Sequence, residues 1–213
     1  LASREFVYTL DLNPEIARQR PNLARPSRAL VIGDPRGDLP EARREADRVA
    51  AALTRAGWRV ESLSGMAATA EATRAAIARA DLFHFAGHGI GGDAEDGGEL
   101  RLARGGRLSA AEILTLEKVP RFVVLSGCET AVADRSAAIE GLGLAQAFLL
   151  RGAEAVVASI DPVPEADSSA LFSDFYPAAS ERAFDLAALL ARAQRRELAR
   201  GKTATLRFRV YVR

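Results

Sequence analysis

Apolar positions along the chain fall into short runs of strand character separated by stretches with helical spacing. Residues 4–12 (REFVYTLDL) predict a strand, followed by a linker that carries Pro14, Pro21 and Pro26. Residues 29–33 (ALVIG) predict a short buried strand that stops at Asp34-Pro35, where the chain must turn. Over residues 40–56, Ala42, Ala46, Val49, Ala50 and Leu53 recur at helical spacing, and Gly57 closes the helix. Residues 58–63 (WRVESL) alternate apolar with polar, as a half-buried strand does. A second amphipathic helix is predicted over 69–80 and a strand over 81–86 (DLFHFA). The glycine- and acid-rich stretch 87–99 (GHGIGGDAEDGGE) reads as loop throughout.

Residues 100–103 predict a hairpin strand that turns across Gly105-Gly106, and Ser109 is positioned to cap a helix over 110–116. Residues 121–127 (RFVVLSG) form the most strand-like run in the chain. An apolar helix over 140–152, a buried strand over 154–160 (EAVVASI) and helices over 167–175 and 184–200 follow. Residues 205–212 (TLRFRVYV) alternate cleanly and predict a closing strand. Strands separated by helices, with near-continuous apolar strands in the middle, predict an α/β fold whose mostly parallel sheet is covered on both faces. No repeat of about 20 to 50 residues is visible, which excludes a solenoid. No linker is long enough to split the core, so residues 1–213 are expected to form one domain, with 1–27 as N-terminal strand and linker.

Composition adds little except exclusions. The chain is 48% hydrophobic and 27% charged, ordinary for a globular protein. Lys and Arg total 29 against 28 Asp and Glu, a net charge of +1 that gives no reason to expect direct nucleic-acid binding. The basic residues Arg192, Arg195, Arg196, Arg200 and Lys202 read as the solvated face of a helix. The sole cysteine, Cys128, rules out an internal disulfide and fits a reducing compartment. No apolar run approaches the roughly 20 residues of a membrane span, and the N-terminus lacks a basic-then-apolar signal pattern. A soluble cytoplasmic domain is expected. It opens at Leu1 rather than Met and is expected to belong to a longer multidomain protein.

Three residues carry candidate chemistry. His84 lies inside the predicted strand 81–86, and His88 lies two residues past its end, between Gly87 and Gly89. Cys128 lies just past the end of the strand 121–127. Sites in open parallel sheets gather beyond the carboxyl ends of strands, so His88 and Cys128 would meet if those strands are neighbours. A thiol beside an imidazole is what acyl transfer requires. Taken singly, a cysteine ending a strand is more often a small core residue, and a Gly-His-Gly segment fits a turn. His84 alternates within its strand and is expected to be buried and hydrogen-bonded. The His84–His88 spacing would hold a metal only on a helix, so no metal site is expected.

The segments HFAGHG (residues 84–89) and VVLSGCET (residues 123–130) resemble the paired signatures of CHAT domains, which are caspase-like peptidase domains related to separase and often found beside TPR repeats. LVIGDP (30–35), GLGLAQAFLLRGAEAVVASIDPV (141–163) and FRVYV (208–212) resemble further segments of the family in the same order. The resemblance implies a caspase-like three-layer α/β/α sandwich and cysteine endopeptidase activity on a specific protein substrate. His88 is then the general base, Cys128 the nucleophile, and the backbone N–H groups of Gly89 and Cys128 form the oxyanion hole. It implies no cofactor, and a regulatory repeat or sensor domain in the same or a partner chain. This chain departs from the family pattern at Gly127, where many relatives have Ala, and at Asp161, where they have Trp.

In related enzymes that cleave after basic residues, an acid near this last segment receives the P1 side chain, which makes Glu165 and Asp167 candidates. Both equally fit the first turn of a helix, where the dipole favours acids. The acidic stretch 93–99 reads as a flap beside the site, an activation loop or a solvated connection, and its spacing does not match a calcium loop. The main rival function is a catalytically inactive caspase-like interaction module. A doubly wound nucleotide-binding domain lacks its phosphate loop here. A nucleic-acid binder would have to rely on the C-terminal arginines.

Overall fold

A computed structural model of the chain describes residues 7–9, 28–90, 98–127, 143–176 and 184–213. Its centre is a seven-stranded sheet made by β1 (Val7–Thr9), β2 (Arg28–Gly33), β3 (Arg59–Ser64), β4 (Leu82–Ala86), β8 (Phe122–Leu125), β9 (Ala155–Ser159) and β10 (Phe208–Val212), in the spatial order β1-β10-β9-β8-β4-β2-β3. The run β3-β2-β4-β8-β9 is parallel throughout, β10 is antiparallel to β9, and β1 is parallel to β10. All of β4, β8 and β9 is buried, which is why their sequences are near-continuous apolar runs, broken only by His84 and Ser159. β1 and β3 are the two edges, and β3 is more exposed than the central strands.

The strand period of two divides the core into two layers. Ala29, Val31, Leu82, Phe122 and Val124 face helices α1 (Pro40–Arg55), α5 (Glu165–Phe175) and α6 (Leu186–Ala199). Leu30, Ile32, Phe83, Phe85, Val123 and Leu125 face α2 (Ala70–Ile77), α3 (Ala110–Thr115) and α4 (Leu144–Leu150). This is an α/β/α sandwich with a mostly parallel sheet. Ser109 caps α3 in a full capping box with Glu112, and Thr69 caps α2 through its side chain.

Two expectations need correction. Residues 87–99 are not all loop: β5 (Gly89–Ile90) pairs with β6 (Glu99–Arg101), which pairs with β7 (Arg107–Ser109) in a small antiparallel sheet. A two-residue strand containing glycine has no side-chain alternation to read. The closing strand begins at Phe208 rather than at 205, because Ala204–Arg207 is a 3-10 turn. The Thr205 hydroxyl donates to the Lys202 carbonyl (3.0 Å) and the Gln194 amide donates to the Thr205 carbonyl (2.9 Å), so this segment satisfies itself before joining the ladder.

Candidate active site

The parallel strands end at one edge of the sheet, and the candidate residues leave from that edge. The loop after β2 is held by Asp34, which is 3% exposed and adopts the left-handed conformation that Asp tolerates better than most residues (φ 47°). Its backbone N–H donates to the Ala86 carbonyl on β4 (2.9 Å), and its Oδ1 accepts from the backbone N–H of Leu39 (2.9 Å), just before α1. Between these anchors the chain carries Arg36 and Asp38. Asp38 Oδ1 stands 3.0 Å from His88 Nε2, and Arg36 Nε lies 3.5 Å from Asp38 Oδ2.

Ionised Asp38 can only accept, so His88 donates from Nε2 and its Nδ1 is left as the basic nitrogen. The His88 side chain is 39% exposed, and Nδ1 has no partner among the described residues. Gly87 is required before it: a β-carbon there would lie 2.9 Å from both Phe85 Cζ and Pro35 Cδ. On the other side, the Arg101 N–H donates to the His88 carbonyl (2.9 Å), and Gly89 pairs with Leu100. That pattern makes Gly89 a non-hydrogen-bonded position of the antiparallel ladder, with its own N–H directed away from β6.

β8 runs beside β4, with Phe85 in register with Leu125, and the Ser126 N–H continues the contact by donating to the Phe85 carbonyl (2.8 Å). His88 follows Phe85 by three positions and Cys128 follows Leu125 by three. Cys128 itself, with its backbone N–H, lies outside the described residues, as do residues 91–97 of the acidic stretch.

Glu165 and Asp167 both sit in the first turn of α5 but face different surroundings. The Glu165 carboxylate lies near the Ala42 N–H at the start of α1 and in the field of Glu41, Asp34 and His88. Burial raises the Glu165 pKa above the ordinary range, and Glu41 and Asp34 add to the rise, while Ala42 and His88 oppose it. Its Oε1 is buried without a hydrogen-bond partner. Asp167 instead pairs with Lys202 (3.3 Å).

His84 is fully buried on the α1 side of the sheet, as its alternation predicted. Its Nε2 lies 3.0 Å from Glu45 Oε1 on α1 and its Nδ1 lies 3.0 Å from the Tyr176 hydroxyl beyond α5. Burial, and then the Glu45 charge, push the Tyr176 hydroxyl well above its ordinary pKa, so it stays protonated and donates to Nδ1 while Nε2–H donates to Glu45.

Sequence reasoning missed Asp38, whose signal was its place just past the carboxyl end of the first core strand. Among the described residues no group of three His, Cys, Asp or Glu side chains could hold a metal ion. No helix among them is long and apolar enough to cross a membrane. Arg196 and Arg200 pair with Asp174, so part of the basic cluster is engaged on the surface.

No curated protein matches the chain in sequence. Among solved structures, a chain of the Saccharomyces cerevisiae separase–securin complex is similar with a TM-score of 0.65 at 16% identity over 93% of this chain. A chain of the complex of the Porphyromonas gingivalis RgpB pro- and mature domains is similar with a TM-score of 0.62 at 13% identity over 88%. The chain spans 13% of the length of the first and 47% of the second. At such identities the likeness is one of fold, and it is the caspase-like fold. The CHAT domain profile matches residues 1–209, and the chain belongs to the CHAT domain family.

Proposed function

We propose that this chain is a cysteine endopeptidase domain that cleaves a specific protein substrate, with Cys128 as nucleophile and His88 as base and acid. The observation that carries the reading is the register of β4 with β8, in which Phe85 pairs with Leu125, three residues before His88 and Cys128 respectively. In this scheme His88 Nδ1 takes the proton from Cys128 Sγ, and the thiolate attacks the scissile carbonyl carbon. The N–H groups of Gly89 and Cys128 hold the oxyanion. The adduct collapses, the C–N bond breaks, and the imidazolium gives its proton to the departing amine. Water deprotonated by Nδ1 then hydrolyses the thioester and restores the thiol. Asp38 orients the ring and balances the imidazolium charge. The scheme uses no cofactor or metal.

Of the two acids in the first turn of α5, we assign Glu165 to receive a basic P1 side chain, because its carboxylate feels the charge of His88. Asp167 is already paired with Lys202. We take the domain to work in the cytoplasm, where a lone cysteine stays reduced, as one domain of a longer protein. The similar chains come from complexes of separase with securin and of RgpB pro- and mature domains, and by analogy an attached region or partner controls access here.

Labelling with peptidyl electrophiles of varied P1 residue tests the proposal on wild type, His88→Ala and Cys128→Ala. Modification of Cys128 that needs His88 and favours Arg or Lys at P1 is expected. A Cys128 inert to every probe, with partner regions restored, would replace the peptidase by an inactive interaction module.

A further inference from the structure

A cavity with no part in the proposed peptidase lies at the other ends of the strands. It has a volume of about 190 Å³ and opens between the first residues of β2 and β3 and the end of α2. β2 is six residues long, about 20 Å as an extended strand, so roughly a strand length separates this cavity from the edge that carries His88. Its floor is apolar, with Leu30 and Ala76 each 1% exposed. Its rim is charged and consists of Arg28, Arg59, Glu61 and Arg79.

The strand register is what makes the rim basic. Leu30 faces α2, so Arg28, two positions earlier, projects to the same side of the sheet. Arg59 is in register with Arg28 and Glu61 with Leu30, which puts all three charged side chains over one face. Two guanidinium groups thus start directly opposite each other on neighbouring strands, where like charges repel. The one acid of the rim is committed elsewhere: both Glu61 carboxylate oxygens accept from Arg79 Nη2 (3.1 and 3.2 Å). Asp81, next to Arg28, gives its Oδ2 to the Arg28 backbone N–H (2.9 Å). The last carbonyls of α2 are engaged as well, Ala76 by the Arg79 N–H and Ile77 by the Ala80 N–H (both 3.1 Å). Neither the Arg28 nor the Arg59 side chain has a hydrogen bond or ion pair among the described residues.

We propose that this cavity is an anion site for a phosphate group, held between Arg28 and Arg59 with Arg79 on its third side. A phosphate dianion offers oxygens to both guanidinium groups and cancels their repulsion, whereas a carboxylate balances only one of them. The volume is below the roughly 300–1,000 Å³ of drug-sized ligand sites, so it suits the phosphate group and little of whatever carries it. The ligand is therefore recognised by its phosphate, as a free ion or on a phosphorylated side chain. The site uses neither His88 nor Cys128 and stands or falls apart from the peptidase reading.

The test is calorimetric titration of the chain with orthophosphate and with a short phosphoserine peptide, set against the same peptide carrying serine or glutamate. Orthophosphate should bind saturably at one site, more weakly as salt rises. Arg28→Gln and Arg59→Gln should each weaken it at least about tenfold. In phosphate-free buffer both variants should melt higher than wild type, because each removes one of two repelling charges. Phosphate should then raise the wild-type midpoint and leave theirs unchanged. A phosphoserine peptide that binds at least as well as orthophosphate assigns the group to a modified protein, and one that is excluded assigns it to the free ion; either result supports the site. No saturable binding of either probe, binding that survives both substitutions, or a glutamate peptide equal to the phosphoserine peptide overturns it. Lower phosphate-free midpoints in both variants would show the two arginines already neutralised within the chain, and overturn it equally.

Discussion

His84 and His88 stand four positions apart in one short segment, and their surroundings have almost nothing in common. His84 points into the layer between the sheet and α1/α5, where Glu45 and Tyr176 satisfy both ring nitrogens and Phe172 packs edge-on against it. His88 stands past the sheet edge with one nitrogen on Asp38 and the other unpartnered among the described residues. The strand decides this division. Inside the ladder a polar ring must be saturated by the helices packed on it, or its burial is prohibitive. Beyond the ladder a ring can keep a free lone pair because water and substrate reach it. An imidazole saturated on both sides has no capacity left for proton transfer, and one held on a single side does.

The sharpest way to break this comparison is to remove each ring in turn. His88→Ala should cut Cys128 labelling by about 10³-fold while leaving unfolding free energy within about 0.5 kcal/mol. His84→Ala should act in the opposite manner. It strands the Glu45 carboxylate, 2% exposed, and should cost about 3–5 kcal/mol in urea unfolding. The double variant Glu45→Leu/His84→Leu should recover much of that loss, since no charge is then left buried without a partner. Similar stability losses for the two single variants would erase the distinction.

How much of this was legible in sequence depended on whether side chains repeat. β4, β8 and β9 were readable because each is a nearly unbroken apolar run, and His84 because alternation placed it on an inward face. β5 was not readable, since two residues with one glycine carry no period. Asp38 was hidden because a six-residue loop pinned by Asp34 determines its direction, and no local pattern encodes that pin. Glu165 and Asp167 could not be separated by composition, yet two positions on a helix differ by about 200° in direction. One therefore lies near the start of α1 while the other pairs with Lys202. Cys128, the proposed nucleophile, rests on motif and on the register of the strand before it.

A smaller effect is expected at Asp38. It is half-exposed and shared with Arg36, so its charge is screened far more than that of a buried acid. Asp38→Asn keeps an oxygen to hold the ring but removes the charge that balances imidazolium. About a tenfold loss of His88-dependent labelling is expected, with Asp38→Ala lower still and stability unchanged. Wild-type labelling rates in both variants would reduce the His88–Asp38 pair to a surface contact.

The smallest effect, and the one that separates the acidic flank from the histidines, belongs to Glu165. Burial holds its carboxyl above the ordinary glutamate value of 4.5, so the folded chain keeps this proton at pH values where the unfolded chain has lost it. The folded state then binds more protons than the unfolded one, and stability must fall as pH rises from the ordinary value through the raised one. Glu165→Gln should abolish that fall. At neutral pH the variant should be more stable than wild type by up to about 1 kcal/mol, and the two should converge below the ordinary carboxylate range. If Glu165 receives P1 as proposed, the same titration governs recognition, because a cationic P1 side chain pairs only with the ionised form. In wild type the advantage of Arg over norleucine probes should grow with pH across this window, and in Glu165→Gln it should be flat. If stability improves without any change in P1 preference, Glu165 is a half-buried acid at the start of α5 and the basic side chain is received elsewhere.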